Sequence, residues 1–578
     1  MNRKQRRAAP KRHPSAGGQR AGAGGDPVGQ MFAEAARLQH DNKLSDAARV
    51  YKCLLLLQPD HAEASNNLGL VLHAQGKLNE ASACFARALA LRPQLFSPFA
   101  GVCVTLAAVN PAIGQAMARA MPAWPARLPA ARLLDGSSLD ALAADPLLLG
   151  ILQSTVIRSL ALECALTALR AHLLGIALGA APATAGELTL CCAIARQSFI
   201  NEYVFATTAD EESGVAALKA RLTGAAAAPM TLAAIAMYLP LHTLPDAAAL
   251  LDRDWPAPLA AVLIQQLREP KAERALVSTI PRLTAIDDGV SLRVQQQYEE
   301  NPYPRWLRVA GGVEPAAIDQ SLRDMFPAAP FTALGKTADL DYLVAGCGTG
   351  WHATSIAQKY LGARLLAIDL SISSLCYAKR NTPPPLSERI EYAQADILKL
   401  SAIGRSFDVI DASGVLHHMA DPFAGWRALI PLLRPNGLMH LGFYSELGRR
   451  EIVAARAVIA ECKLGSSPEE IRRCRQDLLQ TPLARLARFD DFYSMSECRD
   501  LLFHVQESRL TIPQIRDFIA ANGLRFIGFE FMQPALQQLR DLFAANGSSM
   551  TDLDKWHAFE TQYPDTFAGM YNLWVQKN

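Results

Sequence analysis

The sequence has no C-x-x-C pair, no prevailing sign of charge, and no apolar run long enough to span a membrane without interruption. Its eleven cysteines (Cys53, Cys84, Cys103, Cys164, Cys191, Cys192, Cys347, Cys376, Cys462, Cys474 and Cys498) are odd in number and scattered. That argues against a zinc framework and a disulfide scaffold, and suits a reducing cytoplasm. No other metal set is expected. With 57 Lys and Arg against 55 Asp and Glu, the net charge of +2 gives no global pull toward nucleic acid or an anionic membrane. The first twenty residues, MNRKQRRAAPKRHPSAGGQR, are basic but lack the apolar segment of a secretory signal. Two uncharged stretches, Pro93 to Met117 and Leu222 to Pro245, are broken by prolines and read as buried helices with turns, not as membrane spans.

What is present is a chain of 578 residues, half hydrophobic and 19% charged, long enough for several globular domains. Residues 1–27 lack hydrophobic periodicity and read as a disordered basic tail; a solvated tail outweighs specific contact with nucleic acid. A repeat follows. Ala35 and Gly69, Ala47 and Ala81, Tyr51 and Phe85, and Pro59 and Pro93 each stand 34 residues apart. The spacing resembles the tetratricopeptide repeat, in which small residues let two helices approach, an aromatic packs between them and proline ends the second. Residues 28–95 hold two clear units. Residues 96–285 are rich in Ala and Leu at helical spacing and read as α-helical, with no chemistry by motif. Residues 286–329 are expected to form a linker and flap segment that includes Asn301-Pro302-Tyr303-Pro304-Arg305-Trp306.

From about Leu340 the pattern changes. Short apolar runs (DYLVAG, RLLAID, IEYAQAD, FDVIDAS, GLMHLGF) alternate with helical segments, as in a parallel sheet with crossover helices. The first run ends in Gly346-Cys347-Gly348-Thr349-Gly350, a loop in which glycines permit tight turning and close approach of a ligand. Trp351 stands where a dinucleotide fingerprint would need its third glycine, and no Gly-Lys-Ser/Thr follows, so neither a dinucleotide nor a nucleoside triphosphate loop is expected. The second run ends in Asp369, placed to accept two ribose hydroxyls. The third leads to Asp396, placed to take an adenine amine. Both aspartates also suit plain helix capping.

This ordered set resembles the class I S-adenosylmethionine-dependent methyltransferases, and with the repeats in front it is similar to a group of bacterial repeat-containing methyltransferases. The resemblance implies a doubly wound, seven-stranded Rossmann-like domain over 330–578, with an insertion at 445–510, joined to the α-helical half as an α + α/β multidomain chain. It implies S-adenosylmethionine as cofactor, bordered by Gly346, Cys347, Gly348 and Gly350, with Asp369 and Leu370 at the ribose, Asp396 and Ile397 at the adenine, and Ser413 in the same set. Cys347 is expected only to be small. His417 and His418, after the fourth strand, stand as an acid–base pair or as loop-positioning residues. The insertion is dense in aromatics and in charges of both signs, which suits a lid over the acceptor. RFIGFEF and the terminal YNLWVQK are expected to form an antiparallel edge. The helical half is expected to recruit a protein partner or the acceptor, with a small-molecule acceptor equally open. The rival readings are a non-catalytic cofactor-binding scaffold and an NAD-dependent oxidoreductase.

Overall fold

A computed structural model of the chain describes residues 27–91, 106–136, 138–222, 228–307, 315–531, 535–545 and 549–578. The basic tail, apart from Pro27, and Pro93 of the second repeat lie outside the described residues.

The first four helices are α1 (Pro27–His40), α2 (Leu44–Leu57), α3 (Ala62–Ala74) and α4 (Leu78–Leu91). They form two helix pairs at the 34-residue spacing of the repeat. Ala35, Ala47 and Ala81 are fully buried, and Tyr51 and Phe85 fill the space between helices. A Cβ on Gly69 would sit 2.7 Å from the Phe85 ring, so this position of the second unit has to be smaller than its counterpart Ala35. Further on, α5 (Leu160–Leu178) and α6 (Ala185–Ile200) run through the centre of the helical half. Each starts on a hydroxyl cap, Ser159 and Thr184, the latter in a reciprocal capping box with Glu187. α5 has the length and apolarity to cross a membrane, yet 61% of its apolar window is buried inside the fold, together with Glu163 and Arg170.

The second half holds a mixed sheet of eight strands: β1 (Leu340–Ala345), β2 (Ala363–Asp369), β3 (Ile390–Gln394), β4 (Phe407–Ala412), β5 (Leu433–Ser445), β6 (Arg509–Leu510), β7 (Leu524–Phe529) and β8 (Tyr571–Lys577). Their order is β3-β2-β1-β4-β5-β8-β7, with β6 pairing off this path on β5. The first five strands of that order are parallel, and β8 runs antiparallel between β5 and β7. Two expectations change. The strand count is eight, because the last two residues of the insertion add to β5, and YNLWVQK is an interior strand whose neighbour β7 forms the edge. Alternation along the strands buries both faces: Leu343, Leu366 and Ile410 on one side, Tyr342, Leu365 and Val409 on the other. Helices α7 (Gly289–Glu300), α8 (Trp351–Lys359) and α9 (Ile372–Asn381) lie at the site end of this sheet.

The insertion is helical, with α10 (Arg450–Glu461), α11 (Pro468–Leu478) and α12 (Met495–Phe503). It does not simply overhang the sheet. Ile452, Ile471, Leu478 and Leu501 belong to the same apolar core as Leu162, Ile194 and Phe205 of the helical half. Within that core, Arg475 of α11 pairs with both carboxylate oxygens of Glu163 on α5, at 3.1 and 3.0 Å, and donates to the carbonyls of Val204 and Phe492. Next to it the turn Asn201–Val204 makes four more ties, one of them from Arg472 to the Tyr203 carbonyl at 3.1 Å. The Asn201 carbonyl accepts from Met495 N, and the Glu202 carboxylate accepts from Ser496 N while pairing with Arg305 at 3.1 Å. Glu202 and Tyr203 hold φ of +56° and +61°, a left-handed pair that non-glycine residues adopt only when surrounding contacts over-determine it. Expression of residues 289–578 alone is therefore expected to give aggregated protein, read as soluble yield, because it bares this shared core and strips Arg475 of its carboxylate.

Candidate active site

The carboxyl ends of β1 to β4 open into one cavity of about 390 Å³. Gly346, Gly348 and Gly350 all have positive φ. At Gly348 a side chain is excluded twice, by that φ and by the Tyr303 carbonyl 2.5 Å from where a Cβ would stand. That carbonyl belongs to the Asn-Pro-Tyr-Pro segment, which lies across the loop as a strap. Thr349 N donates to Tyr303 O at 3.2 Å, Thr349 Oγ1 donates to Pro304 O, and Trp306 Nε1 donates to Thr349 O at 2.9 Å. Tyr298, Tyr303 and Pro304 face the cavity; Trp306 is buried behind them.

Asp369 and Leu370 line the cavity at the end of β2. The Asp369 carboxylate accepts from Gly348 N at 2.8 Å and Ser371 N at 2.9 Å, so it also ties the glycine loop to the start of α9. Burial pushes it up to about 6 despite those bonds. After β3, Ala395, Asp396, Ile397 and Leu398 form the far wall, facing Val290, Ser291 and Val294 of α7. Asp396 fills the capping role and keeps an oxygen to spare. One oxygen caps the turn at Leu398 N, 2.9 Å away, and the other is buried without a partner. Ser413 also lines the cavity, its hydroxyl 3.2 Å from Asn572. Cys347 lines it too, as a buried thiol held well above its ordinary pKa by desolvation.

The two adjacent histidines separate. His418 lines the cavity, whereas His417 lies fully buried behind it, stacked on Tyr444 at 3.8 Å. Backbone partners set their protons. The His418 Nδ1–H donates to Gln506 O at 2.9 Å, leaving Nε2 to accept from His417 Nε2, 3.1 Å away. His504, stacked on His418, accepts from Gln506 N at Nδ1, so its Nε2–H faces the Tyr298 hydroxyl, which donates to Asp500 at 2.6 Å. Burial, first among the causes, holds all three histidines below their ordinary pKa. The insertion thus reaches the site through Tyr298, while Asp500 and His504 stand one layer back.

A second histidine cluster escaped sequence reasoning. His352, two residues past the glycine loop on α8, lines the cavity with its side chain about one-third exposed. Its Nε2 lies 2.9 Å from Asp411 Oδ2 of β4, and His440 Nδ1 of β5 lies 2.8 Å from the same oxygen. The only signal available was the register between the successive strands β4 and β5, in which Asp411 faces His440.

Residues 343–441 match the family model described as a methyltransferase domain. The chain carries a methyltransferase domain. An uncharacterized protein of Synechococcus sp. is 30% identical over 259 residues, covering 42% of this chain and 61% of that protein. A ubiquinone biosynthesis O-methyltransferase of Methylocella silvestris is 33% identical over 159 residues, covering 27% of this chain and 60% of the relative. The chain thus spans about three-fifths of the length of both relatives. Among solved structures, PKMT2 from Rickettsia typhi aligns at 18% identity with a TM-score of 0.35, over 46% of this chain and 55% of that one.

The cofactor of the methyltransferase domain is S-adenosylmethionine, and the residues present fit it. The glycine loop admits a ligand against its backbone, Asp369 offers a carboxylate for hydroxyls, and the unpartnered Asp396 oxygen asks for a donor such as an adenine amine.

Proposed function

We propose that this chain transfers methyl groups from S-adenosylmethionine to an acceptor recruited by its helical half. The observation that carries the reading is the order along one cavity: Asp396 and Ile397 after β3, Asp369 and Leu370 after β2, the glycine loop after β1. When bound, the cofactor supplies an electrophilic methyl group on a sulfonium centre. The protein's part is alignment and exclusion of water. The strap over Gly348 and Thr349 closes one side, and α7 closes the other.

In this proposal residues 28–95 act as two tetratricopeptide-type units and 96–285 as their helical continuation. Residues 286–329 form the linker and strap, and 330–578 the methyltransferase domain. The acceptor is a protein or a small molecule, no specific nucleic acid takes part, and the setting is cytoplasmic, where the ten described cysteines, all free, stay reduced. Both weighed alternatives, an NAD-dependent oxidoreductase and a silent scaffold, meet the same test. The full chain is titrated with S-adenosylmethionine and with NAD, then incubated with methyl-labelled cofactor and fractionated lysate. Binding of NAD in preference, or label entering no fraction, would sink the proposal.

For the histidine pair, the two engaged ring nitrogens of His418 and the burial of His417 behind it support the positioning role. The His418 lone pair points at His417 and not into the cavity. Replacing His417 by Gln is expected to slow labelling of the lysate acceptor by less than about 10-fold, short of the 10²–10⁴-fold loss of a general base. A larger loss, with cofactor affinity unchanged and the acidic limb of the pH profile gone, would restore the acid–base role.

A further inference from the structure

The charge of the cavity wall is lopsided. Asp288, Asp369, Asp396 and Asp421 line it, and among the described residues no lysine or arginine does. A cofactor with an amino-acid arm brings a carboxylate into this wall, and an unanswered carboxylate among aspartates is repelled and poorly solvated. Only two side chains there are able to carry positive charge, His352 and His418. Both nitrogens of His418 are occupied, by Gln506 O and His417, and its surroundings keep it neutral.

Strand order places the remaining candidate. Reading across the sheet as β3, β2, β1, β4, the adenine-side Asp396 comes first, the ribose-side Asp369 second and the glycine loop third. His352 follows that loop and is anchored to Asp411 of β4, at the end of the row opposite Asp396. We infer, on the methyltransferase reading, that His352 is the receptor for the carboxylate of the cofactor's amino-acid arm. Its Nε2–H is spent on Asp411, which leaves Nδ1 as the position that faces a ligand when protonated.

The groups around it support a charged imidazole. Asp411, itself held by Ser413 N at 3.1 Å, is the nearest charge; Glu530 lies beyond it, 3.5 Å from His440 Nε2. Lys359 on the same helix opposes them, the His440 ring stands 6.1 Å away, and the Tyr342 hydroxyl reaches Asp411 at 3.5 Å. Against the desolvation that opposes charge, Asp411 and Glu530 prevail and raise His352 above its ordinary pKa. A carboxylate bound to the imidazolium is held below that raised pKa and released as pH climbs through it.

The test uses two probes that differ in the arm. S-adenosylhomocysteine carries the amino-acid arm and 5′-methylthioadenosine lacks it. Calorimetric titration of the full chain at pH 6.5 and pH 8.5 is expected to show weaker S-adenosylhomocysteine binding at the higher pH, with little change for 5′-methylthioadenosine. In His352→Gln, S-adenosylhomocysteine should lose roughly 10- to 100-fold at pH 6.5, the scale of a hydrogen bond between charged groups, and the protein-dependent part of the pH effect should vanish. The ligand's own amino group titrates alike with both proteins, so the effect is read as their difference. Undiminished S-adenosylhomocysteine binding in His352→Gln, or equal loss of both ligands, overturns the inference. A wild-type protein that binds neither ligand overturns the methyltransferase reading beneath it.

Discussion

Replacement of Glu163 by Ala is expected to lower the stability of the chain by about 3–5 kcal/mol, the cost of leaving a buried charge without its partner. Glu163 is fully buried and Arg475 is 2% exposed, so water does not replace the lost carboxylate. The two carbonyls that also accept from Arg475 satisfy hydrogen bonds but not charge. Removing both members together, as Glu163→Leu with Arg475→Met, should recover most of the loss, since an apolar pair of similar volume fits such a core. The urea midpoints of the two variants are the measurement. A Glu163→Ala protein as stable as the wild type would mean that the Glu163–Arg475 pair contributes nothing to the docking of the insertion on the helical half.

The second large effect is expected at Asp369. Its replacement by Ala should weaken S-adenosylmethionine binding on the order of 100-fold, because two hydrogen bonds to a charged acceptor are worth about 1.5–3 kcal/mol each. The carboxylate also holds Gly348 N and Ser371 N, so Asp369→Asn, which keeps an acceptor oxygen without the charge, should fall between the two. With the acid raised to about 6, affinity should fall as pH drops below that value and the carboxylate protonates. Together with the opposite trend at His352, cofactor affinity should be greatest between the two titrations. Wild-type affinity in Asp369→Ala, measured by calorimetry, would remove the ribose role.

These residues were legible for different reasons. Asp369 and Asp396 end strands, and the glycine loop follows one, so their places depend on a few neighbouring positions and a parallel sheet. His417 and His418 were visible as a pair, but which faces the cavity depends on the Gln506 backbone, 88 residues from His418. His352 alone reads as an ordinary helix residue, because its meaning rests on Asp411 and His440, which strand pairing brings together. The docking of the insertion was illegible for a related reason. Arg475 and Glu163 are 312 residues apart, and each alone reads as a surface charge on an amphipathic helix. The expected lid has the right composition, yet Asp500 and His504 stand one layer back and act on the cavity through Tyr298 and His418.

The turn at Asn201–Val204 bears on how such a chain tolerates recombination. Glu202 holds Arg305 of the strap with one oxygen and Ser496 of the insertion with the other, a few residues from the carbonyl that meets Arg475. Seams drawn by sequence, at the end of the helices and the start of the sheet, cut straight through these ties. A foreign helical array grafted before residue 289 would have to bring its own carboxylates to the places of Glu163 and Glu202. Without them the graft would leave two arginines stranded and the strap over the glycine loop loosened at its root. In this chain α1 and α2, at the outer end of the helices, carry none of these ties and are the part that can be exchanged without touching the joint.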